Sequence, residues 1–169
     1  MHPEFETIDP AALSENPFNL IGKAWMLITA GDRDGFNTMT ASWGGMGVLW
    51  ARNVCFCVVR PGRYTYGFME AAGSFTLSFF DEAFRNALTY CGSHSGRDKD
   101  KVKETGLTPL FAEEGVYFAE SRLVFCCRKV YHHDLDPAHF GDPAMDAIYY
   151  PLKDYHRMYV GEIVSCLKR

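Results

Sequence analysis

One alternating segment, with the glycines that follow it, constrains the fold more than any other part of the sequence. Along Phe36–Trp43, successive side chains are predicted to point to opposite faces of a strand. Thr38, Thr40 and Ser42 would then form a row of small hydroxyl groups on one face. Three glycines between positions 44 and 47 follow this strand, and they would let a ligand approach the backbone closely.

The next segment brings cationic and hydroxyl side chains to one turn. Val54–Val59 is apolar throughout, so it is predicted to be a strand buried on both faces. Directly after it come Arg60, Arg63 and Thr65, and a short helix is predicted over Tyr64–Ala72. The N-terminus of such a helix would add partial positive charge. Guanidinium groups, hydroxyls and free backbone N–H groups are what a phosphate monoester requires.

The remaining pattern predicts a mainly β protein with short helices, an α+β chain forming one domain over residues 1–169. Further strands are predicted over residues 25–30, 75–80, 121–133 and 157–167, and helices over 82–90 and 97–106. Residues 1–20, with prolines at 3, 10 and 17, are predicted to form an arm, and residues 136–151 a loop. About six strands that pair mostly as hairpins favour an antiparallel barrel, although this pattern alone leaves a sandwich open.

Composition and motifs exclude several classes of function. A net charge of −4 argues against nucleic acid as a partner. No apolar run approaches the roughly 20 residues of a membrane span. The N-terminus lacks the apolar region of a signal peptide, so a cytoplasmic location is expected. The sequence contains no G-x-G-x-x-G, P-loop, G-x-S-x-G or H-E-x-x-H motif.

Neither the cysteines nor the histidines predict a metal site. The six cysteines have no C-x-x-C spacing and are expected to be buried, reduced thiols. His132 and His133 are adjacent in a predicted strand, so they would point to opposite faces. Cys91 differs because it lies in a loop near the proposed ligand, where it is either a contact or a small residue at a tight position.

Five segments in this order resemble the flavin reductase-like, FMN-binding split-barrel family, and its flavoredoxin branch in particular. They are Asn37–Gly44, Arg60–Tyr66, Phe75–Phe80, Tyr90–Asp98 and Tyr155–Ile163. The resemblance implies an antiparallel split β-barrel and a homodimer that binds FMN.

The resemblance also implies a role for each matching position. The flavin ring and ribityl chain would be bordered by Thr38, Met39, Thr40, Ala41 and Ser42, and Trp43 would cover the ring or the dimer seam. The phosphate would be held by Arg60, Arg63, Tyr64 and Thr65, and approached from the other side by Cys91, Ser93, Ser95 and Lys99. His156 would lie near the ring as the catalytic candidate. Each has a structural alternative: strand hydroxyls satisfy backbone groups, Arg60 could be a rim charge, and His156 a barrel-end residue.

Three functions remain open from the sequence. The first is a flavin reductase, in which NADH or NADPH reduces FMN and a small molecule or protein accepts the electrons. The flavin would supply the redox chemistry, so no catalytic triad is required. The second is a flavoredoxin-type electron carrier reduced by another protein. The third is a split-barrel module that binds haem or flavin without turnover.

Overall fold

The protein is described by a computed structural model, which covers residues 4–169. Ten strands lie in this range: β1 Glu6–Ile8, β2 Met26–Gly31, β3 Phe36–Ala41, β4 Gly44–Leu49, β5 Arg52–Val59, β6 Ser74–Phe79, β7 Pro109–Ala112, β8 Gly115–Phe118, β9 Leu123–Asp134 and β10 Arg157–Lys168. The same range contains five α-helices: α1 Pro17–Asn19, α2 Tyr64–Ala71, α3 Arg85–Ser93, α4 Lys101–Thr105 and α5 Ala144–Tyr149. Short 3₁₀ turns form at Pro10–Ala12, Glu82–Phe84 and Pro137–His139, and a π-helical turn at Leu20–Ala24.

Eight of the strands form one antiparallel sheet that encloses the main core. Their order is β3-β2-β6-β9-β10-β5-β4, with β1 paired to β10, while β7 and β8 form a separate hairpin. Strands β2, β3, β5, β6, β9 and β10 all send apolar side chains into the same interior cluster. A second apolar cluster packs α3 against the outside of β2. The predicted fold class, mainly β and antiparallel with short helices, is confirmed.

The two end strands of the sheet are neighbours in the chain. Among the described strands, β3 pairs only with β2 and β4 only with β5, so each has one edge without a strand partner in residues 4–169. Only Ser42 and Trp43 separate them. The sheet is therefore open between β3 and β4, and the backbone groups on the free edge of β3 are available to other partners.

The glycines after β3 do not form the ligand-binding loop that the sequence suggested. They belong to β4, which forms a hairpin with β5. Gly44 has a φ of +156°, and a Cβ there would lie 2.5 Å from the carbonyl oxygen of Phe56. A Cβ on Gly45 would lie 2.5 Å from the Phe56 ring. Close packing against Phe56 explains these two glycines without any ligand.

Three further predictions are corrected at the level of secondary structure, and one of them is the loop expected over 136–151, which contains helix α5. Part of the predicted N-terminal arm is strand β1, which pairs with the end of β10, and Pro17 begins α1; Pro3 lies outside the described residues. The helix predicted over 97–106 begins at Lys101, because the Asp100 side chain accepts a hydrogen bond from the Lys103 N–H at 3.1 Å. It ends before Gly106, as predicted, where φ is +71°. Among residues 4–169, no helix is long and apolar enough to cross a membrane.

Candidate functional site

Three cavities follow the end of β3 and share lining residues, and together they form what we call the β3 groove. The anion cavity, of about 190 Å³, lies between Met39, the start of α2 and the loop after α3. The middle cavity, of about 290 Å³, extends along Thr40–Ser42 towards α3. The His156 cavity, of about 240 Å³, lies on the other side of the same three residues. The open edge of β3 therefore connects the first residues of α2 to His156.

Three cations line the anion cavity, and none of them has a carboxylate partner. Arg63 Nη2 donates to the Gly92 carbonyl oxygen at 2.9 Å, and Arg97 Nη1 donates to that of Gly62 at 3.2 Å. Lys101 Nζ donates to two carbonyl oxygens, those of Thr38 and Cys91, at 2.8 Å each. Within residues 4–169, no carboxylate lies within ion-pair distance of these three side chains, whereas Arg52, Arg60, Arg85, Arg122, Arg128 and Arg157 are each paired.

The N-terminus of α2 adds further donors to the anion cavity. Its N-cap residue, Arg63, makes no side-chain capping bond, so the first backbone N–H groups of α2 have no side-chain acceptor. Asn37 Nδ2 donates to Thr65 Oγ1 at 2.7 Å, and the hydroxyl proton of Thr65 remains free to be donated. Ser93 and Ser95 face the same space from the loop after α3. This donor set is suited to a doubly charged anion.

Sequence reasoning missed two of the three cations, Arg97 and Lys101, and Lys101 is the more unusual of the two. It lies in a charged run, 97–104, that resembles a solvated helix face, yet its side chain is buried. Burial lowers its pKa to about 8; the Cys91 thiol opposes this shift, and Arg63 adds to it. The one signal in the sequence was Asp100, an N-cap residue that makes Lys101 the first residue of α4. A buried lysine without a carboxylate is costly, and an anion in the cavity would offset that cost.

The His156 cavity is aromatic, and its charges are neutralised. His156 Nδ1 is 2.8 Å from the Tyr150 hydroxyl, and its ring centroid is 5.1 Å from that of Trp43. Burial lowers the pKa of His156 to about 4, with the Arg60 charge contributing, so the imidazole is neutral at pH 7. Arg60 Nη1 donates to both carboxylate oxygens of Asp154 at 2.7 Å. That hydrogen bond lowers the pKa of Asp154.

The structure brings most of the predicted site residues together, in two groups. The anion cavity is lined by Arg63, Tyr64, Thr65, Ser93 and Ser95. The His156 cavity is lined by Met39, Thr40, Ala41, Ser42, Trp43, Arg60 and His156. Met39 borders both cavities, and Ser93 borders both the anion cavity and the middle cavity.

Four predicted residues lie elsewhere than expected, and one of them is Thr38, which lines none of the three cavities of the groove. Arg60 does not line the anion cavity, because Asp154 and the Tyr149 carbonyl oxygen hold its guanidinium at the other end of the groove. Lys99 lines a separate cavity of about 660 Å³, which we call the outer cavity. Cys91 is fully buried in the second apolar cluster, and burial raises its thiol pKa to about 11, so its side chain does not face the groove.

Two of the three hydroxyls in the predicted row are bonded within the protein. Thr38 Oγ1 is 2.8 Å from Thr29 Oγ1, and Thr40 Oγ1 donates to the Leu88 carbonyl oxygen of α3. The backbone of β3 is the exposed feature instead. The Thr38 carbonyl oxygen points away from the sheet, towards Lys101. Backbone groups of alternate residues in a strand lie on the same edge, so the backbone groups of Thr40 point in the same direction.

All six cysteines in the described range are free and buried, with Cys55 Sγ 3.2 Å from Cys127 Sγ. In the same range, no group of three or more His, Cys, Asp or Glu residues is arranged to hold a metal ion. The groove is lined by hydrogen-bond donors, by aromatic rings and by apolar side chains such as Met39, Val58 and Leu88.

Comparison with known proteins agrees with this geometry. Residues 18–169 match the family model described as the flavin reductase like domain. The fold is similar to that of an FMN-binding domain of a flavin reductases-like enzyme from Shewanella baltica, with a TM-score of 0.71, 16% identity and coverage of 99% of this chain and 78% of that chain. The fold is also similar to that of flavoredoxin from Desulfovibrio vulgaris, with a TM-score of 0.67, 22% identity and coverage of 96% of this chain and 76% of that chain. Among curated proteins, none matches this sequence significantly.

A third similar structure is that of the NADH:FAD oxidoreductase from Streptomyces globisporus. Its TM-score is 0.66 at 15% identity, with 86% of this chain and 74% of that chain covered. An antiparallel split barrel with an anion cavity at its open edge is thus the class of protein that the fold and the groove define. The family model covers most of the sequence, and the chain belongs to the flavin reductase like domain family.

Proposed function

We propose that this protein is an FMN-binding oxidoreductase of the flavin reductase type. The observation that carries the proposal is the convergence of Arg63, Arg97 and Lys101, without carboxylate partners, on a small cavity at the start of α2. A phosphate monoester fits this donor set, since its two charges require several donors at once. When bound, FMN would supply the redox chemistry, accepting a hydride equivalent from NADH or NADPH and passing the electrons on.

Residues along the groove have separate roles in this proposal. Arg63, Thr65 and Lys101 would hold the phosphate. The backbone edge of β3 at Thr40 would hydrogen-bond the polar edge of the ring, as an unpaired strand edge does with any donor–acceptor partner. Trp43 and His156 would border the ring and exclude water from one side of it. This arrangement would leave a nicotinamide to approach the other side, where proximity and orientation are the main requirements.

His156 would act as a hydrogen-bond donor and not as an acid or base. Because its pKa is about 4, the imidazole of His156 is uncharged at neutral pH. Burial raises the pKa of Tyr150, so its hydroxyl stays protonated and can donate to His156 Nδ1. The imidazole proton would then be on Nε2, the nitrogen without a partner among residues 4–169.

A homodimer is part of the proposal. Apolar side chains are exposed on the β4–β5 hairpin, with Val48 73% and Trp50 59% accessible, and also beside the groove at Trp43 and Tyr149. Exposed apolar groups in clusters favour an interface, and a second copy would cover these. Light scattering should give twice the monomer mass, whereas a monomer mass with FMN still bound would exclude this part of the proposal.

The test of the proposed function is an anaerobic titration of the purified protein. Heat-released flavin should be identified as FMN by chromatography, and added NADH or NADPH should bleach the flavin absorbance band. FMN that binds but is reduced by neither nucleotide would favour the electron carrier, an alternative supported by the likeness to flavoredoxin. A haem spectrum in place of a flavin spectrum would overturn both.

A further inference from the structure

We propose that Trp25 and the middle cavity bind the apolar dimethylbenzene edge of the flavin ring, and that this contact sets which way round the ring lies in the groove. The inference rests on the proposed function, because it specifies how the ring of FMN would be oriented there. An isoalloxazine ring has a polar edge that carries carbonyl groups and an apolar edge that carries methyl groups. The middle cavity and the His156 cavity lie on either side of Thr40–Ser42, so each would take one edge.

The middle cavity is the apolar one of the two. Hydroxyl side chains line it, but most of them donate to backbone carbonyl oxygens of α3: Thr40 to Leu88, Thr89 to Arg85 and Ser93 to Thr89. The rest of its wall is formed by Trp25, Ala41, Leu88 and Gly92. The His156 cavity, in contrast, contains an imidazole and the Arg60 guanidinium. Carbonyl groups therefore fit the His156 cavity, and methyl groups fit the middle cavity.

Trp25 has a backbone conformation that tryptophan normally avoids. Its φ is 69° and its ψ is 170°, a region that is essentially restricted to glycine. Such a conformation costs free energy and persists only where the neighbouring structure imposes it. The π-helical turn Leu20–Ala24 ends directly before Trp25, and β2 begins directly after it at Met26. A glycine would avoid the strain at this junction, so the tryptophan indicates a requirement for the indole itself.

Arg85 fixes the indole of Trp25 at the wall of the middle cavity. Its guanidinium carbon lies 4.2 Å from the centroid of the Trp25 ring. Arg85 Nη2 also donates to the Lys23 carbonyl oxygen at 2.8 Å and to the Glu82 carboxylate at 3.1 Å, so the guanidinium is itself held in place.

The exposure of Trp25 distinguishes it from the core residues that follow it. Met26 and Leu27 are fully buried, whereas Trp25 is only partly buried and lines the middle cavity. Its accessible surface is therefore available to a ligand in that cavity. An indole contacts other aromatic rings and their methyl groups favourably, and the strain at Trp25 would be offset by this contact when the flavin is bound.

The experiment is a fluorescence titration of the full-length protein with FMN and with didemethyl-FMN, the analogue that lacks both ring methyl groups. The wild-type protein should bind didemethyl-FMN about tenfold more weakly than FMN, the scale expected for two methyl groups buried in an apolar cavity. Trp25→Gly should weaken FMN binding about tenfold but didemethyl-FMN binding only about threefold. The discrimination between the two ligands should thus fall from about tenfold to about threefold.

Two further variants control for folding and for the loss of a tryptophan. Trp25→Phe keeps an aromatic ring on the same strained backbone and should retain about fivefold discrimination, so the test does not depend on the folding of the glycine variant. Trp50→Gly is the matched control, because Trp50 also has a positive φ, 51°, and lines none of the three cavities of the groove. This control should keep the full discrimination of the wild-type protein.

A chemical probe reports the orientation of the ring separately from its affinity. In 8-chloro-FMN, chlorine replaces one of the two methyl groups, and thiophenolate in solution displaces the chloride where that edge of the ring is accessible. The bound analogue should react at least about tenfold more slowly than the free analogue, because the middle cavity would enclose this edge. Trp25→Gly should restore part of the rate.

Two results would overturn the inference while leaving the proposed function intact. One is a Trp25→Gly variant that weakens FMN and didemethyl-FMN by the same factor, which would give Trp25 a purely structural role. The other is bound 8-chloro-FMN that reacts as fast as the free analogue, which would place the methyl edge in solvent. Failure of the wild-type protein to bind FMN would instead overturn the proposed function and this inference together.

Discussion

The two ends of the β3 groove hold arginines that are only three positions apart in sequence but in opposite electrostatic situations. Arg60 is held between both oxygens of Asp154, and its guanidinium also lies 5.1 Å from the centroid of the Tyr150 ring. Among residues 4–169, the Arg63 side chain donates only to a carbonyl oxygen, that of Gly92, and it shares its cavity with Lys101. One end of the groove is thus neutralised by the protein itself, and the other keeps its positive charge.

This difference indicates what each end can bind. An arginine with a carboxylate partner has little net charge left to attract a ligand, and it mainly fixes the position of its partner. The half-buried Arg63 and the buried Lys101 face only carbonyl oxygens, so they repel each other and gain from an anion placed between them. The anion cavity is therefore suited to a phosphate, whereas the His156 cavity is suited to an uncharged aromatic ring.

The largest expected effect is the loss of FMN binding on removal of Arg63. Arg63→Ala should weaken FMN binding by about 1.5–3 kcal/mol, the value of a charge-assisted hydrogen bond, which is roughly 10- to 150-fold in Kd. Riboflavin has no phosphate, so its affinity should barely change. Isothermal titration with both ligands measures the two affinities.

Arg60→Ala is the matched control for this comparison. Because Arg60 is paired with Asp154 away from the anion cavity, the substitution should change FMN and riboflavin affinity by the same factor. A selective loss of FMN in Arg60→Ala, with Arg63→Ala unaffected, would reverse the assignment of the two ends and restore the expectation that the sequence suggested.

A second, smaller effect concerns pH. Phosphate binding favours the charged form of Lys101, whose pKa in the folded protein is about 8. FMN affinity should therefore fall about tenfold between pH 7 and pH 9.5, relative to riboflavin measured in the same buffers. The other titratable groups near Lys101 are Arg63, Arg97, His94 and Cys91, and burial raises the pKa of the Cys91 thiol to about 11. Lys101→Gln should bind FMN more weakly and with no pH dependence in this range.

The same lysine should make the ligand-free protein more stable at alkaline pH. Its folded pKa, about 8, lies below the usual value of 10.5, so the unfolded chain binds more protons between these two values. The contribution of Lys101 to the free energy of unfolding should rise as the pH goes from about 8 to 10.5. Urea denaturation with and without FMN measures this, and FMN should flatten the pH dependence by holding Lys101 charged.

The strands were more predictable from the sequence than the contacts between them. The alternation of side chains in β3 and the apolar run in β5 predict these two strands directly, and the turn around Gly62 predicts where α2 begins. Periodicity describes one element at a time, so it could not show that α3 covers the Thr40 hydroxyl. It also could not show that Asp154, 94 residues later in the chain, pairs with Arg60.

The site was predictable to the extent that its residues lie close together in the sequence. Arg63, Thr65 and Ser93 were expected at a phosphate, and they line one cavity. Lys101 was not expected, since a lysine in a charged run is usually solvated, and the packing of α4 against α3, beside the edge of β3, buries it. The glycines of β4 were interpreted as a ligand site because a glycine required by packing resembles a glycine required by a ligand.

A third prediction addresses the neutral end of the groove. His156→Ala should slow anaerobic reduction of bound FMN by NADH about fivefold, the value of one lost hydrogen bond of about 1 kcal/mol. FMN affinity should stay within about tenfold, because the phosphate contacts are at the other end. Rapid-mixing absorbance of the flavin band measures the rate. If the rate is unchanged, His156 has only a structural role at the end of the barrel.

The smallest expected effect comes from Tyr150→Phe, which removes one hydroxyl and keeps the ring. Tyr150 is 4% exposed, and its hydroxyl is 2.8 Å from His156 Nδ1. The phenylalanine ring can still pack against Arg60, so the substitution isolates the hydrogen bond to the imidazole. Loss of that bond leaves a buried nitrogen without its donor and should lower the free energy of unfolding by about 1 kcal/mol at pH 7.

The effect of Tyr150→Phe on His156 distinguishes a positioning role from simple packing. With the tyrosine hydroxyl donating to Nδ1, the imidazole is held with its proton on Nε2, which has no partner among residues 4–169. Without the hydroxyl, both tautomers should be populated, and the two nitrogen chemical shifts of His156 should move towards each other in NMR spectra. FMN reduction should slow about twofold, less than in His156→Ala, because only part of the donor population is lost. Nitrogen shifts that stay at their wild-type values would show that the surroundings of His156, and not Tyr150, fix its tautomer.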